Sequence, residues 1–260
     1  QALNVFQRGD YENAIGEFRQ YLRVTNSEDL MPEAYSNLAE SYRQTGQVDQ
    51  AIETYRTIVN EFPEQEMASS ALTSLGTLNY EKGAYAEAHS NYSELFESSP
   101  RFKQEALVGM GRASLARDQV AKAKEEFESA LEINPNSESA KVGLGKVAIQ
   151  QNDFETATSY LEPIAEQSTT EVGAEAQFYL GEILQKQEQY NAAIEEYGKV
   201  KVLFEAFDIW VSRSMYNSAE CHLRMGNRGE AMTILNSLID TYPGTEAEQR
   251  AQALLDQADL

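Results

Sequence analysis

The chain has 260 residues and carries 42 Asp and Glu against 21 Lys and Arg, a formal net charge of −21 at pH 7. A surface so acidic repels phosphate backbones and anionic bilayers, which argues against nucleic acid and membrane lipid as partners, and surplus carboxylates also keep long helical faces soluble. Cys221 is the one cysteine, so no intrachain disulfide exists and no redox compartment is implied, and no run of about 18 apolar residues offers a membrane span.

The chain opens at Gln1 inside a helical pattern, with no signal peptide in view. Ala2 to Gln7 reads as the end of a first helix that has lost its front, so the expectation is a fragment of a longer chain. The plan is clearest from Ala34 to Pro63. Tyr35, Leu38, Ala39 and Tyr42 fall at i, i+3, i+4 and i+7, one apolar stripe on a helix of 3.6 residues per turn. The turn Thr45-Gly46-Gln47 follows, and Ala51, Ile52, Tyr55, Ile58 and Val59 make a second stripe. Pro63 then stops the second helix, because it has no amide hydrogen and disfavours helical geometry in the residue before it. Neither helix hides its stripe alone, so the hairpin needs neighbours.

Those neighbours repeat it. An alanine marks the second helix of each hairpin at Ala14, Ala51, Ala88, Ala123, Ala157, Ala193 and Ala231, spaced 34 to 38 residues apart. Four residues on stand Phe18, Tyr55, Tyr92, Phe127, Leu161, Tyr197 and Leu235, one large apolar contact per hairpin. A second column of small residues lies in the first helices: Ala39, Gly76, Gly111, Gly145, Gly181 and Ala219. Glycine inside a helix costs roughly 1 kcal/mol relative to alanine, so its recurrence predicts a place where two helices approach too closely for a side chain.

With the Leu-Gly pairs Leu75-Gly76, Leu144-Gly145 and Leu180-Gly181, the closing prolines Pro63, Pro100, Pro135 and Pro243, and the turns Gly9-Asp10-Tyr11, Gly83-Ala84-Tyr85 and Asn152-Asp153-Phe154, residues 2–242 resemble tetratricopeptide repeats, helix pairs of about 34 residues. Departures are Lys141 and Gln177 early in first helices, and Asn26, Thr169 and Glu205 in place of the closing proline. The resemblance implies an all-α, right-handed α-solenoid of about seven hairpins, approximately 1–29, 30–65, 66–100, 101–136, 137–170, 171–206 and 207–243. A capping helix over 245–260 follows, built on Ala247, Ala251, Leu254, Leu255 and Ala258 with Thr245 as N-cap; together 1–260 reads as a single solenoid. Terminal units of a solenoid must cover the last apolar face.

Two irregularities interrupt the pattern. Pro163 falls inside the second helix of the fifth hairpin, deletes one backbone bond and is expected to bend it. The stretch Val202 to Val211 forms the longest junction and holds the one Trp; Phe207, Ile209 and Trp210 either extend the core or form a secondary apolar patch for a partner.

Catalytic chemistry finds little footing. His89 and His222 are separated by several hairpins, and the neighbours Cys221 and His222 point about 100° apart on a helix. No metal-ligand spacing, phosphate-cradling loop or nucleophile motif occurs, so no catalytic residue, metal or cofactor is expected. Gly143 and Gly145 match part of a dinucleotide fingerprint without the preceding strand. Asn91-Tyr92-Ser93 is a glycosylation sequon laid on a helix whose Tyr92 belongs to the core.

Recognition is the better prospect. The resemblance implies a concave groove lined by the stripe one residue past the core stripe of each first helix. Along it stand Arg43, Tyr80, Val108, Arg112, Leu115, Val142, Lys146, Ile149, Phe178 and Tyr216, with Glu182, Gln185 and Glu220 on the same stripe. Val108, Val142, Phe178 and Tyr216 predict an apolar track with Arg112 and Lys146 beside it, suited to a peptide with a hydrophobic anchor and a carboxylate; the alternative is that these residues pack along the inside of a tight superhelix. The function expected is a non-catalytic scaffold binding a protein or peptide segment. The alternative is a structural protein that self-assembles through end-to-end or lateral contacts. Hairpins closing on Phe62-Pro63 and Tyr242-Pro243 before an Ala-rich helix also resemble bacterial repeat proteins of the cell envelope, which implies a periplasmic or envelope setting, with the cytoplasm as the alternative.

Overall fold

Each amphipathic stretch forms its helix, and each turn closes by the same backbone device. In the computed structural model, which describes residues 1–25 and 27–257, fifteen α-helices and no strand are found among the described residues. Asn26, Ala258 and residues 259–260, which the sequence reading included, lie outside the described residues. The chain divides into two compact units, Gln1–Pro135 and Asn136–Leu260.

The first unit holds four hairpins: α1 (Ala2–Gln7) with α2 (Tyr11–Val24), α3 (Met31–Gln44) with α4 (Val48–Glu61), α5 (Glu66–Glu81) with α6 (Tyr85–Ser98), and α7 (Lys103–Ala116) with α8 (Val120–Ile133). The second holds α9 (Glu138–Gln150) with α10 (Phe154–Gln167), α11 (Glu171–Lys186) with α12 (Tyr190–Leu203), α13 (Asp208–Arg224) with α14 (Arg228–Thr241), and the closing helix α15 (Glu246–Gln257). Thr245 caps α15, its Oγ1 accepting from the Glu248 amide at 3.1 Å, which satisfies one of the orphan donors of a helix start. Pro163 does not break α10, which runs through it.

In every hairpin turn one residue takes the left-handed conformation: Gly9, Gly46, Gly83 and Asp118 in the first unit, Asn152, Glu188 and Gly226 in the second. The amide after it reaches back five residues, as Gln47 to Tyr42 O at 2.8 Å and Gln189 to Leu184 O at 2.9 Å. This bond occupies a carbonyl that the helix end leaves unpaired.

All seven column alanines are fully buried. The glycine column answers to the same contact sixteen residues on. A β-carbon on Gly76 would stand 2.5 Å from the Tyr92 ring, on Gly111 2.7 Å from Phe127, on Gly145 2.8 Å from Leu161 and on Gly181 2.6 Å from Tyr197. The first helix therefore rests directly on the large residue of its own second helix. First helices of successive hairpins also pack on one another, α3 on α5 and α5 on α7 in the first unit, α9 on α11 and α11 on α13 in the second.

Candidate functional site: a mixed-charge groove in the second unit

The packing of first helices on one another decides which side chains remain open. In the second unit Val142, Phe178 and Tyr216 are 1%, 6% and 7% exposed, and in the first Val108 is 7% exposed. The expected open apolar track is thus corrected: these four are core residues. Val142 shares a cluster with Ala176 and Ile183 of α11, Phe178 packs on Trp210 of α13 with ring centroids 5.5 Å apart, and Tyr216 clusters with Ala247 and Ala251 of α15. The stripe one residue past the core faces the next first helix, and burying it there removes apolar surface from water. Ile149 is buried by the same cluster as Val142.

The two cations placed on this track differ in position. Lys146 is mostly buried, its Nζ 2.9 Å from Oε1 of the buried Glu175 and 4.9 Å from the centre of the Tyr179 ring. Its charge is committed inside the unit. Arg112 and Leu115 stay partly exposed on α7. Nearer the chain start, Arg43 forks onto Glu40 of its own helix at 2.6 and 2.8 Å, and Tyr80 is half-buried with its ring 5.2 Å from that of Tyr85.

Trp210 is buried at the junction of α12 and α13, beside Phe178 and Tyr179, and its Nε1 donates to Glu171 Oε1 at 3.3 Å. Phe204 is buried with it and Phe207 half-buried, while Ile209 is exposed. Of the secondary patch, Trp210 is a core residue; the long junction is pinned by its rings.

What does remain open in the second unit is a groove of about 580 Å³ one step further round the first helices. Glu182, Gln185 and Lys186 of α11, Arg213, Asn217, Glu220 and Arg224 of α13, and Glu246 and Arg250 of α15 line it, with the edge of Phe178 in its wall. Lys186, Arg213, Arg224 and Arg250 are four of the nine Lys and Arg residues from Asn136 onward, gathered in one place on an acidic protein. Arg213 pairs with Glu246 at 3.0 Å and lies over the Trp210 ring, and Arg250 lies 4.2 Å over the Tyr216 ring. Arg224 is exposed and has no ion-pair partner among the described residues.

Burial pushes the Glu182 carboxyl above the ordinary carboxylate range, with Lys186 and Lys146 pulling it back. Burial also raises the Tyr197 hydroxyl, which donates to Gln185 at 2.6 Å and accepts from Asn217 at 3.1 Å, tying α11, α12 and α13 together. Cys221 is fully buried and its thiol is pushed up to about 11 by burial, then by Glu220, so it is protonated and unreactive at neutral pH. The groove has cations for carboxylates and donors for a peptide backbone, and lacks a nucleophile beside a base.

Of the groove lining, the stripe read from the sequence includes Glu182, Gln185 and Glu220 and leaves out Arg213, Asn217, Arg224 and Arg250. The signal was present. Arg213, Asn217, Glu220 and Arg224 recur at i, i+4, i+7 and i+11, a polar stripe as regular as the apolar one.

Residues 30–100, 80–141, 114–173 and 213–245 match models of the tetratricopeptide repeat. The chain belongs to the tetratricopeptide-repeat family. Its fold is that of a tetratricopeptide repeat protein from Parabacteroides merdae ATCC 43184, with TM-score 0.80 and 16% identity over 98% of this chain and 94% of that one; the all-α solenoid that the resemblance implied is the fold observed. Among curated proteins it is 21% identical over 142 residues to the protein CTR9 homolog of Arabidopsis thaliana, covering 55% of this chain and 13% of that protein. It is 26% identical over 168 residues to the type IV pilus assembly protein PilF of Pseudomonas aeruginosa, covering 63% of each. The chain spans less than two thirds of the length of the curated relatives it matches. Tetratricopeptide proteins generally mediate contacts between proteins.

Proposed function

We propose that this protein is a non-catalytic scaffold holding a segment of a partner protein in the groove of its second unit. The observation that carries this is the uncommitted Arg224 in a groove that gathers cations on a chain of net charge −21. A segment offering a carboxylate to Arg224 and Arg250, and an apolar side chain to the edge of Phe178, satisfies both kinds of lining residue. The similarity to a pilus assembly protein supports a role in bringing other chains together.

Affinity capture from the cells of origin tests it, with the double variant Arg224→Glu/Arg250→Glu against Arg228→Glu, which lies outside the groove. Loss of the bound proteins in the double variant alone is expected; an unchanged set removes the reading. Lys146→Glu is unsuitable as a probe, because it would set two carboxylates together inside the unit.

Assembly of like copies is favoured by a different observation. Beside α1 the first unit has an apolar pocket of about 390 Å³ lined by Leu3, Phe18, Tyr21, Val24 and Leu30, of which Leu3, Val24 and Leu30 are exposed. Light scattering separates the two: a monomer at high concentration argues against self-assembly.

A further inference from the structure

A second groove of the same unit opens on the opposite face of α11. At about 100° per residue, Phe178, Glu182 and Gln185 line the first groove and Leu180, Leu184 and Gln187 fall on the far side. There, between α10 and α12, is a groove of about 610 Å³. Its floor is apolar: Leu180, Ile183 and Leu184 of α11 with Phe154 and Ala165 of α10. Its α10 lip carries Glu155, Glu162 and Glu166, all exposed, and no cation.

Two further features sharpen the chemistry of the lips. Pro163 has no N–H to return to the carbonyl of Ser159, a residue of the same lip, so this edge offers acceptors and lacks one donor. On the α12 lip Lys199 is the one cation in the lining, and it is committed to Glu196 at 2.8 Å; Glu196 also accepts from Gln177 at 2.6 Å. The groove therefore presents net negative charge around an apolar floor, whereas the groove across the helix sets four cations against four carboxylates.

We propose that this outer groove seats a cationic amphipathic helix of a partner protein, independently of the inner groove. Leucine-class side chains lie on Leu180 and Leu184, and Lys or Arg residues pair with Glu155, Glu162 and Glu166. Those three carboxylates are spread over twelve residues of α10, about 16 Å along its axis, so the docked helix needs about three turns with a basic residue at each. Charge complementarity chooses this occupant: an acidic or neutral helix would leave the α10 carboxylates facing like charge or nothing.

The test uses the full chain and a fluorescein-labelled 14-residue peptide of Leu and Lys, with the leucines on one helical face, read by fluorescence anisotropy. A peptide of the same composition in scrambled order is the control for amphipathicity. Glu155→Gln/Glu162→Gln/Glu166→Gln removes the lip charge, and Ser159→Arg fills the lip with a bulky cation. Glu87→Gln/Glu94→Gln/Glu97→Gln removes the same charge from exposed positions of α6. The amphipathic peptide is expected to bind at least tenfold tighter than the scrambled one. The α10 triple variant and Ser159→Arg should each weaken it tenfold or more, and the α6 triple variant less than twofold. Equal loss in both triple variants, equal binding of the scrambled peptide, or no binding to the unaltered chain would each overturn the proposal.

Discussion

In the first unit two ion pairs that link separate elements, Lys82 with Asp49 and Arg101 with Glu66, stand in solvent. In the second, Lys146 of α9 and Glu175 of α11 are linked inside, under the Tyr179 ring. The first unit also buries a hydrogen-bond contact, His89 Nε2 to Glu126 Oε1 at 2.7 Å, but between second helices. The second unit buries its pair between first helices, where Lys146 also acts on the groove carboxylate Glu182, and backs it with the stack of Phe178, Tyr179, Tyr197 and Trp210. One hairpin plan thus supports two kinds of inner face. Exposed pairs contribute at most about 1 kcal/mol and tolerate loss of a partner, whereas a buried pair requires both members.

The sharpest way to break this contrast is to remove one member of each pair. Lys146→Met should lower stability by about 3–5 kcal/mol, because the buried Glu175 loses the ammonium beside it, and Lys146→Met/Glu175→Leu should recover most of the loss. Lys82→Met in the first unit should change stability by no more than about 1 kcal/mol. Urea unfolding followed by circular dichroism measures both; similar losses would erase the distinction. Trp210→Ala follows, with a loss of about 3–5 kcal/mol from the emptied junction, visible in the same titration.

Smaller effects test the shared skeleton. Gly181→Ala should cost about 1–3 kcal/mol despite the better helix propensity of alanine, since its methyl meets the Tyr197 ring. The result that would break this is a gain in unfolding midpoint, which propensity alone predicts. Glu188→Gly should raise stability by about 0.5–1 kcal/mol, because Glu188 holds a left-handed conformation that glycine adopts without strain. Asn152→Gly should change little, asparagine tolerating that conformation. Equal responses at these two turns, read from thermal melts, would place the cost elsewhere.

Much of this was written in the residues. The alanine column, the glycine column and the left-handed turns at Gly46, Gly83 and Asn152 all appear where the periodicity puts them. Glu188 was not legible as a turn residue, since no local preference marks glutamate for positive φ. At the candidate site Glu182, Gln185 and Glu220 were legible as part of a groove-facing stripe, while Val142, Phe178 and Tyr216 were placed on the same open wall and lie inside.

Read alone, the chain determines its hairpins, because apolar period, small-residue contacts and turn chemistry act within about forty residues of one another. Only the tertiary structure decides which inner face stays open. A helix has the same period whichever side is covered, and the covered side depends on how closely the next first helix lies against it. That packing buries Phe178 under Trp210 and leaves Arg213, Asn217, Glu220 and Arg224 to line the groove.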